Sequence, residues 1–185
     1  MTTRDIILAE AERLIRTRGY AAFSYADLAE AAAIAKASVH HHFPTKEDLI
    51  LVLLDGYMVR FHAALAAIRG DHTNMLDRLN AYADLFLDGF ERGMLPLCGA
   101  LSAERAALPP AMHPRIHHFF QVHLDWLHTV LEDGGITPPQ ATALLLLSTL
   151  EGGSFVGWAM SDKASVLAAF STALRTLNPQ QENRS

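Results

Sequence analysis

The amino-acid sequence predicts an all-α protein, and three observations lead to that prediction. Ala and Leu dominate a composition that is 50% hydrophobic, whereas the strand-favouring residues Val, Ile, Thr and Tyr are sparse. Glycine and proline separate the segments and form no low-complexity runs. Within the segments, apolar residues recur at the spacing of a helix face. A chain of 185 residues can form one domain with a sizeable core, or a small domain fused to a larger one.

The first seventy or so residues predict three helices followed by a longer one. Gly19 ends the first helix, because glycine readily adopts the backbone conformation needed after a helix C-terminus. Ser24 caps the second helix and Thr45 caps the fourth, since each offers a side-chain oxygen to unpaired backbone N–H groups. Pro44 separates the third helix from the fourth. The predicted helices span about 3–18, 24–32, 36–42 and 45–70.

Five more helices are predicted in the remainder of the chain. They span about 73–92, 98–107, 111–133, 138–160 and 163–177, which gives about nine helices in total. Residues 179–185 are a polar tail that is expected to fray.

The charge distribution points to one place where a nucleic acid would bind. The net charge of −5 by itself argues against such a partner. Residues 1–50, however, carry six basic residues against seven acidic ones, so they are close to neutral. Between Glu30 and Glu47 there is no acid at all, but there are two lysines and three histidines. This interval is therefore the candidate for nucleic-acid contact.

Three features predict a soluble cytoplasmic protein. A single cysteine, Cys98, excludes an internal disulfide and is typical of a reducing compartment. The N-terminal stretch MTTRDIILAE is charged too early for a signal peptide. The longest uninterrupted apolar run, Ala141 to Leu150, is shorter than the ~20 residues that span a bilayer.

The stretch KASVHHHF, residues 36–43, has the pattern of a helix that reads DNA. A helix of about eight residues, a turn of about three and a second short helix have the lengths of a helix-turn-helix. On a helical projection Val39 and Phe43 point inward, and His42 lies on the flank. Small or hydrogen-bonding residues point outward, as close approach to base edges and phosphates requires: Ala37, Ser38, His40 and His41. Lys46, at the start of the next helix, would meet the phosphate backbone.

The three histidines have two other interpretations. Metal ligands on a helix stand three or four residues apart, whereas adjacent histidines radiate in different directions. A plain solvated loop is the second alternative, and an expression tag does not fit a short internal run. DNA contact is the favoured interpretation.

Residues 4 to about 57 resemble the N-terminal DNA-binding domain of TetR/AcrR-family transcriptional regulators. The similarity runs through RTRGY, SYADLAEAA, KASVHHHF and PTKEDLI. The resemblance implies a three-helix head, a connecting helix, and a helical body that binds a ligand and dimerises. It also implies that Ser24 and Tyr25 touch phosphate and that Lys46 binds phosphate. The recognition helix would then contain the following residues: Lys36, Ala37, Ser38, His40, His41 and His42.

Three residues depart from the pattern of that family. Ala33 and Ala35 stand in the turn, where the family usually has glycine and serine. Ala33 lacks the freedom of glycine at positive φ, and Ala35 cannot cap the third helix, which costs ~1 kcal/mol. His40 stands where the family most often has tyrosine, so the operator preference is not inferred.

The helix predicted at 111–133 is rich in histidine. His123 falls in the middle of its apolar arc, which is typical of a core histidine with one hydrogen-bond partner and, as an alternative, of a polar contact in a ligand cavity. His113 and His117 have the i, i+4 spacing of metal ligands but lack a clear partner set. Cys98 precedes a short helix, where a lowered pKa would favour thiol sensing, although an inert core residue is the commoner case. The candidate ligand-binding residues are Phe86, Phe90, Cys98, Phe120, His123 and Trp126.

The last two helices are apolar nearly all round, which predicts burial on every side. In a domain of this size, such helices indicate an interface between two copies. Glycines permit close helix approach, and the resemblance implies a four-helix bundle at a two-fold axis. A well-buried monomer core is the alternative. The predicted interface comprises Leu146, Leu150, Gly153, Phe155, Gly157, Trp158, Leu167, Phe170 and Leu174.

The sequence therefore predicts a homodimeric, sequence-specific transcriptional regulator, a repressor that a small, mostly apolar effector releases from a palindromic operator. The expected domains are a helix-turn-helix domain at 1–47 that continues into the connecting helix at 45–69, and a ligand-binding and dimerisation domain at 48–178. No enzyme activity, cofactor, metal or membrane partner is expected. The alternative function is a ligand-binding or redox-responsive helical protein whose head no longer binds DNA.

Overall fold

The structure is a computed structural model that describes residues 2–177, and within that range it is built from α-helices with no strand. The all-α prediction, with about nine helices, is confirmed. The predicted tail at 179–185 lies outside the described residues. The helices are α1 (Thr3–Arg18), α2 (Tyr25–Ala31), α3 (Lys36–His42), α4 (Lys46–Asp71), α5 (Met75–Glu91), α6 (Leu97–Ala103), α7 (His113–Asp133), α8 (Pro139–Met160) and α9 (Lys163–Leu177).

Side-chain caps explain where the N-terminal helices begin. Thr2 accepts a hydrogen bond from the N–H of Asp5 and donates its own N–H to the carboxylate of Asp5. Ser24 and Asp27 form the same reciprocal pair at the start of α2. Each pair satisfies backbone N–H groups that a helix leaves unpaired at its first turn. One predicted helix is shorter than expected, since α6 ends at Ala103 and a 3-10 turn, Arg105–Ala107, follows it.

The chain packs as two compact units. The head unit contains the chain up to Ala63 together with Pro96–Phe120, and the C-terminal unit contains Ala64–Leu95 and the chain from Gln121 onward. These units describe packing and not function, so the predicted division into domains at residue 47 stays a prediction.

The core of the head unit is formed by the apolar faces that the helical spacing predicts. This core consists of apolar side chains, each at most 5% exposed, from the three head helices and from the start of α4. The buried residues include Ile7, Ala11, Leu14, Ile15, Leu28, Ala29, Val39, Phe43, Leu49 and Ile50. Burial of these side chains holds α3 in place with its opposite face outward.

The turn between α2 and α3 has the backbone strain that its sequence predicts. Ala33 adopts a φ of 53°, in the left-handed region that glycine occupies without cost. Ala35 stands at the N-cap of α3 with no side-chain hydrogen bond to the helix. The turn therefore lacks the two residue types that would stabilise it.

Replacing these two alanines is expected to stabilise the head. Ala33→Gly removes the steric cost of positive φ, and Ala35→Ser supplies the missing cap, for a combined gain of ~1–2 kcal/mol. Thermal unfolding of the double variant should show a higher Tm. Ala37→Gly, at an exposed helical position nearby, should instead lower it. A double variant with an unchanged or lower Tm would contradict this account.

In the C-terminal unit, two glycines let α8 pack directly against the backbone of α9 and of the turn that precedes it. A Cβ atom on Gly153 would lie 2.5 Å from the carbonyl oxygen of Val166, and one on Gly157 would lie 2.8 Å from that of Asp162. Any larger residue at either position would therefore force the two helices apart. The same glycines were predicted at a dimer interface, but the structure uses them inside one chain.

The other predicted interface residues divide between the core and the surface. Four of them are at most 8% exposed within the chain's own core, where a second copy cannot reach them: Leu146, Leu150, Phe170 and Leu174. Phe155 and Leu167 are partly exposed, and Trp158 is exposed. The opposite face of α8 is apolar and open, with Leu144, Leu145, Val156 and Met160 all more than 45% exposed. When a helix has two apolar faces, a helical projection of the sequence does not show which face packs against the rest of the same chain.

Two helices, Lys46–Asp71 and Pro139–Met160, are long and apolar enough to cross a membrane by length and composition. Neither helix is one uninterrupted apolar run, because polar residues interrupt both. In α8 apolar residues lie on the buried face as well as on the open face.

Candidate nucleic-acid interface

The recognition surface on α3 is displayed as the helical projection predicts. Lys36, Ala37, His40 and His41 are exposed. Ser38 and His42 are partly buried on its flanks. Val39, which is fully buried, anchors the helix from the other side. The outward face therefore carries small residues and hydrogen-bonding side chains, which the floor of a major groove requires.

Arg4 adds a cation beside this surface that the sequence pattern did not reveal. Its guanidinium group lies over the ring of Phe43, 5.3 Å from the ring centre. Arg4 stands 39 positions from Phe43 in the sequence, so no local spacing connects the two. The packing of α1 against the end of α3 brings a permanent positive charge to this side of the head.

Ser24 and Tyr25, which the family resemblance places against phosphate, have different positions. Ser24 is exposed at the N-cap of α2, where its hydroxyl donates to Asp27 Oδ2 at 2.6 Å. Tyr25 is only 8% exposed, and its hydroxyl donates to the carbonyls of Phe43 and Thr45 at 3.0 and 2.5 Å. Burial raises the pKa of Tyr25 to about 12. Tyr25 therefore links α2 to the segment after α3. Ser24 is exposed, but its hydroxyl proton is donated to Asp27, so its contact with phosphate stays a prediction.

Lys46 is directed into the head and not toward solvent. Its ammonium group donates to the carbonyl oxygens of Tyr20 and Phe23, both at 2.5 Å, and lies 3.8 Å from the centre of the Phe23 ring. Burial lowers the pKa of Lys46, while the carboxylate of Glu104 acts in the opposite direction. Two of the three donors of Lys46 bind the loop between α1 and α2, and the phosphate contact expected of Lys46 stays a prediction.

Comparisons with known proteins agree with this geometry. The family model described as bacterial regulatory proteins, tetR family, matches residues 7–53. The HTH-type transcriptional regulator CymR of Pseudomonas putida is 30% identical over 151 residues, which cover 80% of this chain and 74% of that protein. This chain belongs to the tetR family. Its recognition as a DNA-binding transcriptional regulator from the head motifs is confirmed.

Solved structures extend the similarity over nearly the whole regulator. A TetR-family transcriptional regulator from Agrobacterium tumefaciens matches with a TM-score of 0.90 at 30% identity, covering 95% of this chain and 97% of that one. A TetR transcriptional regulator from Legionella pneumophila matches with a TM-score of 0.90 at 28% identity, covering 96% and 98%. The similarity to these two structures therefore extends over both the head and the body.

The histidines of the recognition helix are expected to make DNA binding depend on pH. A phosphate close to an imidazole favours the protonated form, so the complex takes up protons and affinity rises as pH falls. Between pH 8 and 6 we expect operator affinity to increase by roughly 3- to 10-fold, which corresponds to an average uptake of about a quarter to half a proton over this range. Fluorescence anisotropy over this range measures it. His40→Ala should flatten the profile, whereas the exposed His118→Ala on α7 should leave it unchanged. Identical profiles for His40→Ala and the wild type would contradict this account.

Three of the predicted ligand-binding residues come together in the C-terminal unit. Phe86, His123 and Trp126 surround Tyr82, whose ring is stacked on that of Trp126 with centres 5.3 Å apart. We call these four residues the aromatic cluster. Phe90 lies elsewhere in the unit, near Gly157. Tyr82 was missed from the sequence because its position on α5 looks like that of an ordinary core residue.

His123 is a core histidine with a hydrogen-bonded partner. It is 2% exposed, and its Nδ1 lies 2.5 Å from the hydroxyl of Tyr82. Burial lowers its pKa to about 3, so the imidazole is neutral at physiological pH. The indole Nε1 of Trp126 is also buried, with no hydrogen-bond partner among the residues that the structure describes. The cluster is therefore aromatic, with the hydrogen-bonded Tyr82–His123 pair and the indole N–H of Trp126 among its polar groups.

Cys98 and Phe120, the other predicted ligand contacts, belong to the head unit. Cys98 lies in the first turn of α6 and is 1% exposed. His113 and His117, the candidate metal pair, are near the start of α7, and His113 Nε2 lies 3.3 Å from the carbonyl of Arg105. Within residues 2–177 no three His, Cys, Asp or Glu side chains are grouped in a way that could hold a metal ion.

The burial of Cys98 leads to a prediction about its reactivity. Native protein treated with a maleimide should label slowly, at least ~100-fold more slowly than unfolded protein, because reaction requires local opening. Mass spectrometry of quenched samples measures the rate. Ser102→Cys, at an exposed position on the same helix, is the matched control and should label rapidly. Rapid labelling of native Cys98 with loss of DNA binding would restore the thiol-sensor hypothesis.

Proposed function

We propose that this protein is a homodimeric repressor that binds a palindromic operator and is released by a small, mostly apolar effector. The observation that carries the proposal is the outward face of α3 within a tetR-type head. Its exposed Lys36, Ala37, His40 and His41 lie in an interval without acidic residues. Phosphate contacts would position this helix and base contacts would supply specificity.

The open apolar face of α8 supports the dimer. Leu145 and Val156 are 47% and 50% exposed, and they lie eleven positions apart on nearly the same side of the helix. The exposed side of α9 carries the small residues Ala168, Ala169 and Thr172. Large residues on one helix and small residues on the other suit a two-fold four-helix bundle. We infer that a second copy covers this face and that a bilayer does not, which makes the protein cytoplasmic.

The effector would act by shifting a population of conformations. A ligand that binds better to one state favours that state in proportion to its differential affinity. In the state that the effector favours, the recognition helices of the two copies would lie at a spacing that does not match successive major grooves. The aromatic cluster supports an effector with an apolar body, and the unused indole N–H of Trp126 supports one hydrogen-bond acceptor on it. Catalysis is not part of the proposal.

Selection from a random duplex DNA library tests the proposal. Wild-type protein at near-physiological salt should enrich a palindrome with half-sites about one helical turn apart. Lys36→Ala should weaken binding by about 3- to 10-fold and reduce the salt dependence by about one phosphate contact. Lys163→Ala removes the same charge from the start of α9 and should bind like the wild type.

Two observations favour the alternative function. The strained Ala33 and the uncapped α3 weaken the helix-turn-helix, so a head that folds without binding DNA is the competing model. If no sequence is enriched even at low salt, the repressor proposal fails. A ligand-binding or redox-responsive protein would then be the better description.

A further inference from the structure

The loop between α1 and α2, residues 19–23, is held by a carboxylate from another part of the chain. Glu104, just after α6, accepts hydrogen bonds from the backbone N–H of Tyr20 at 2.6 Å and of Ala21 at 2.8 Å. Both carboxylate oxygens are used, one for each N–H. A Cβ atom on Gly19, whose φ is 96°, would overlap Glu104 Oε1. Glycine at this position therefore lets the loop close onto the carboxylate.

A cation holds the same loop through its carbonyl groups. Lys46 donates to the carbonyl oxygens of Tyr20 and Phe23. The charge of Glu104 favours the protonated form of Lys46, so the two groups lie within electrostatic reach of each other. The loop thus directs N–H groups to an anion and C=O groups to a cation. Each hydrogen bond is charge-assisted, which makes it stronger than one between neutral groups.

This loop controls both ends of the helix-turn-helix. It leads directly into Ser24, the N-cap of α2, so it sets where the first of the two helices begins. Lys46 is the first residue of α4, and three residues separate it from the end of the recognition helix. Glu104 lies outside the segment that matches the family model, residues 7–53, but α6 packs against α1 in the head unit. The loop before α2 is therefore held by a residue more than fifty positions beyond the recognition helix.

We propose that Glu104 is a positioning residue for operator binding. It holds the loop, the loop holds α2 and Lys46, and these hold α3 in the orientation that reads the major groove. Glu104 itself makes no contact with DNA in this account. The inference rests on the proposed function, because it concerns how the same recognition surface is oriented.

The test compares two variants of the full-length protein on the selected operator. Glu104→Ala should weaken operator affinity by about 10-fold, since charge-assisted hydrogen bonds are lost. Affinity for an unrelated duplex should stay within about 2-fold, because α3 keeps its charges. Glu104→Gln retains one acceptor and should recover part of the loss. Hydrogen exchange at the Tyr20 and Ala21 amides should accelerate in Glu104→Ala, and this readout reports the loop directly.

Asp55→Ala is the matched control. The carboxylate of Asp55 pairs with Arg115 Nε at 2.9 Å and joins α4 to α7 within the head unit, but it contacts no residue of the loop. This variant removes the same charge and should keep operator affinity within about 2-fold of the wild type.

Three outcomes would overturn the inference. Wild-type affinity in Glu104→Ala with accelerated exchange would show that the loop does not orient the reading helix. Equal losses in Glu104→Ala and Asp55→Ala would show a general weakening of the head unit. Failure of the wild type to select any operator would refute the proposed function, and the inference with it. Operator binding by the wild type followed by either of the first two results refutes the inference alone.

Discussion

Placing carboxylates on the open face of α8 should convert the protein to a monomer and abolish tight operator binding. In the variant Leu145→Glu/Val156→Glu, a two-fold interface would have to bury four unpaired charges, since each substitution occurs in both copies. Each buried charge costs several kcal/mol when no partner neutralises it. A monomer contacts one half-site and loses the effective concentration that the second head provides, so operator affinity should fall roughly 100-fold or more. Sedimentation and anisotropy measure the two effects.

Val59→Glu is the control for this prediction. Val59 is the most exposed large hydrophobic residue, at 70%, and it lies on α4 in the head unit. The variant places a carboxylate on an exposed apolar site without touching α8, so it should remain a dimer. Circular dichroism should show that both variants retain their helices. A doubly substituted protein that stays dimeric and binds the operator with unchanged affinity would place the interface elsewhere.

Glu151→Gln is expected to stabilise the protein at pH 8. Both carboxylate oxygens of Glu151 are shielded from solvent, with no hydrogen-bond partner among residues 2–177. This burial raises the pKa of Glu151 to about 7 from an ordinary 4.5. The shift corresponds to ~3 kcal/mol of destabilisation once the group is ionised. The glutamine amide is also unpaired, so we expect a net gain of ~1–2 kcal/mol, or roughly 2–8 °C in Tm.

The pH dependence gives the sign of the Glu151 effect. The folded protein holds the proton of Glu151 up to about pH 7, whereas an unfolded chain releases it near pH 4.5. The folded state therefore binds more protons in this window, and stability falls as pH rises through it. Denaturant unfolding from pH 5 to 8 should show this slope in the wild type and a flatter curve in Glu151→Gln. Asp84→Asn, at an exposed position on α5, should run parallel to the wild type. Parallel curves for Glu151→Gln would show that the carboxylate has an unseen partner.

Local spacing explains why the helices and the recognition surface were predictable from the sequence. Ser24 caps a helix and Gly19 ends one through interactions within a few residues, so both helix bounds can be predicted locally. Val39 and Phe43 point inward because a helix repeats every 3.6 residues. The departures at Ala33 and Ala35 were identified by comparison with the family pattern, and Ala33 does adopt a positive φ.

Contacts between distant segments account for what the sequence did not reveal. Lys46 was expected at a phosphate, but the carbonyls of Tyr20 and Phe23 and the ring of Phe23 compete for its charge. Tyr82 joined the aromatic cluster because α5 brings it to His123 and Trp126. These partners are tens of residues apart in the sequence, so the periodicity of a helix does not relate them.

The sequence alone determined the helical fold, the bounds of the head helices and the outward face of α3. These follow from hydrogen bonding, capping and periodicity within single segments. The tertiary structure decided which face of α8 is covered by its own chain and which is open, because both faces are apolar and only packing distinguishes them. It also decided that Glu104 and Lys46 hold the loop before α2. A carboxylate or an ammonium group forms hydrogen bonds with the groups that the fold places within reach, and the sequence does not show which groups those are.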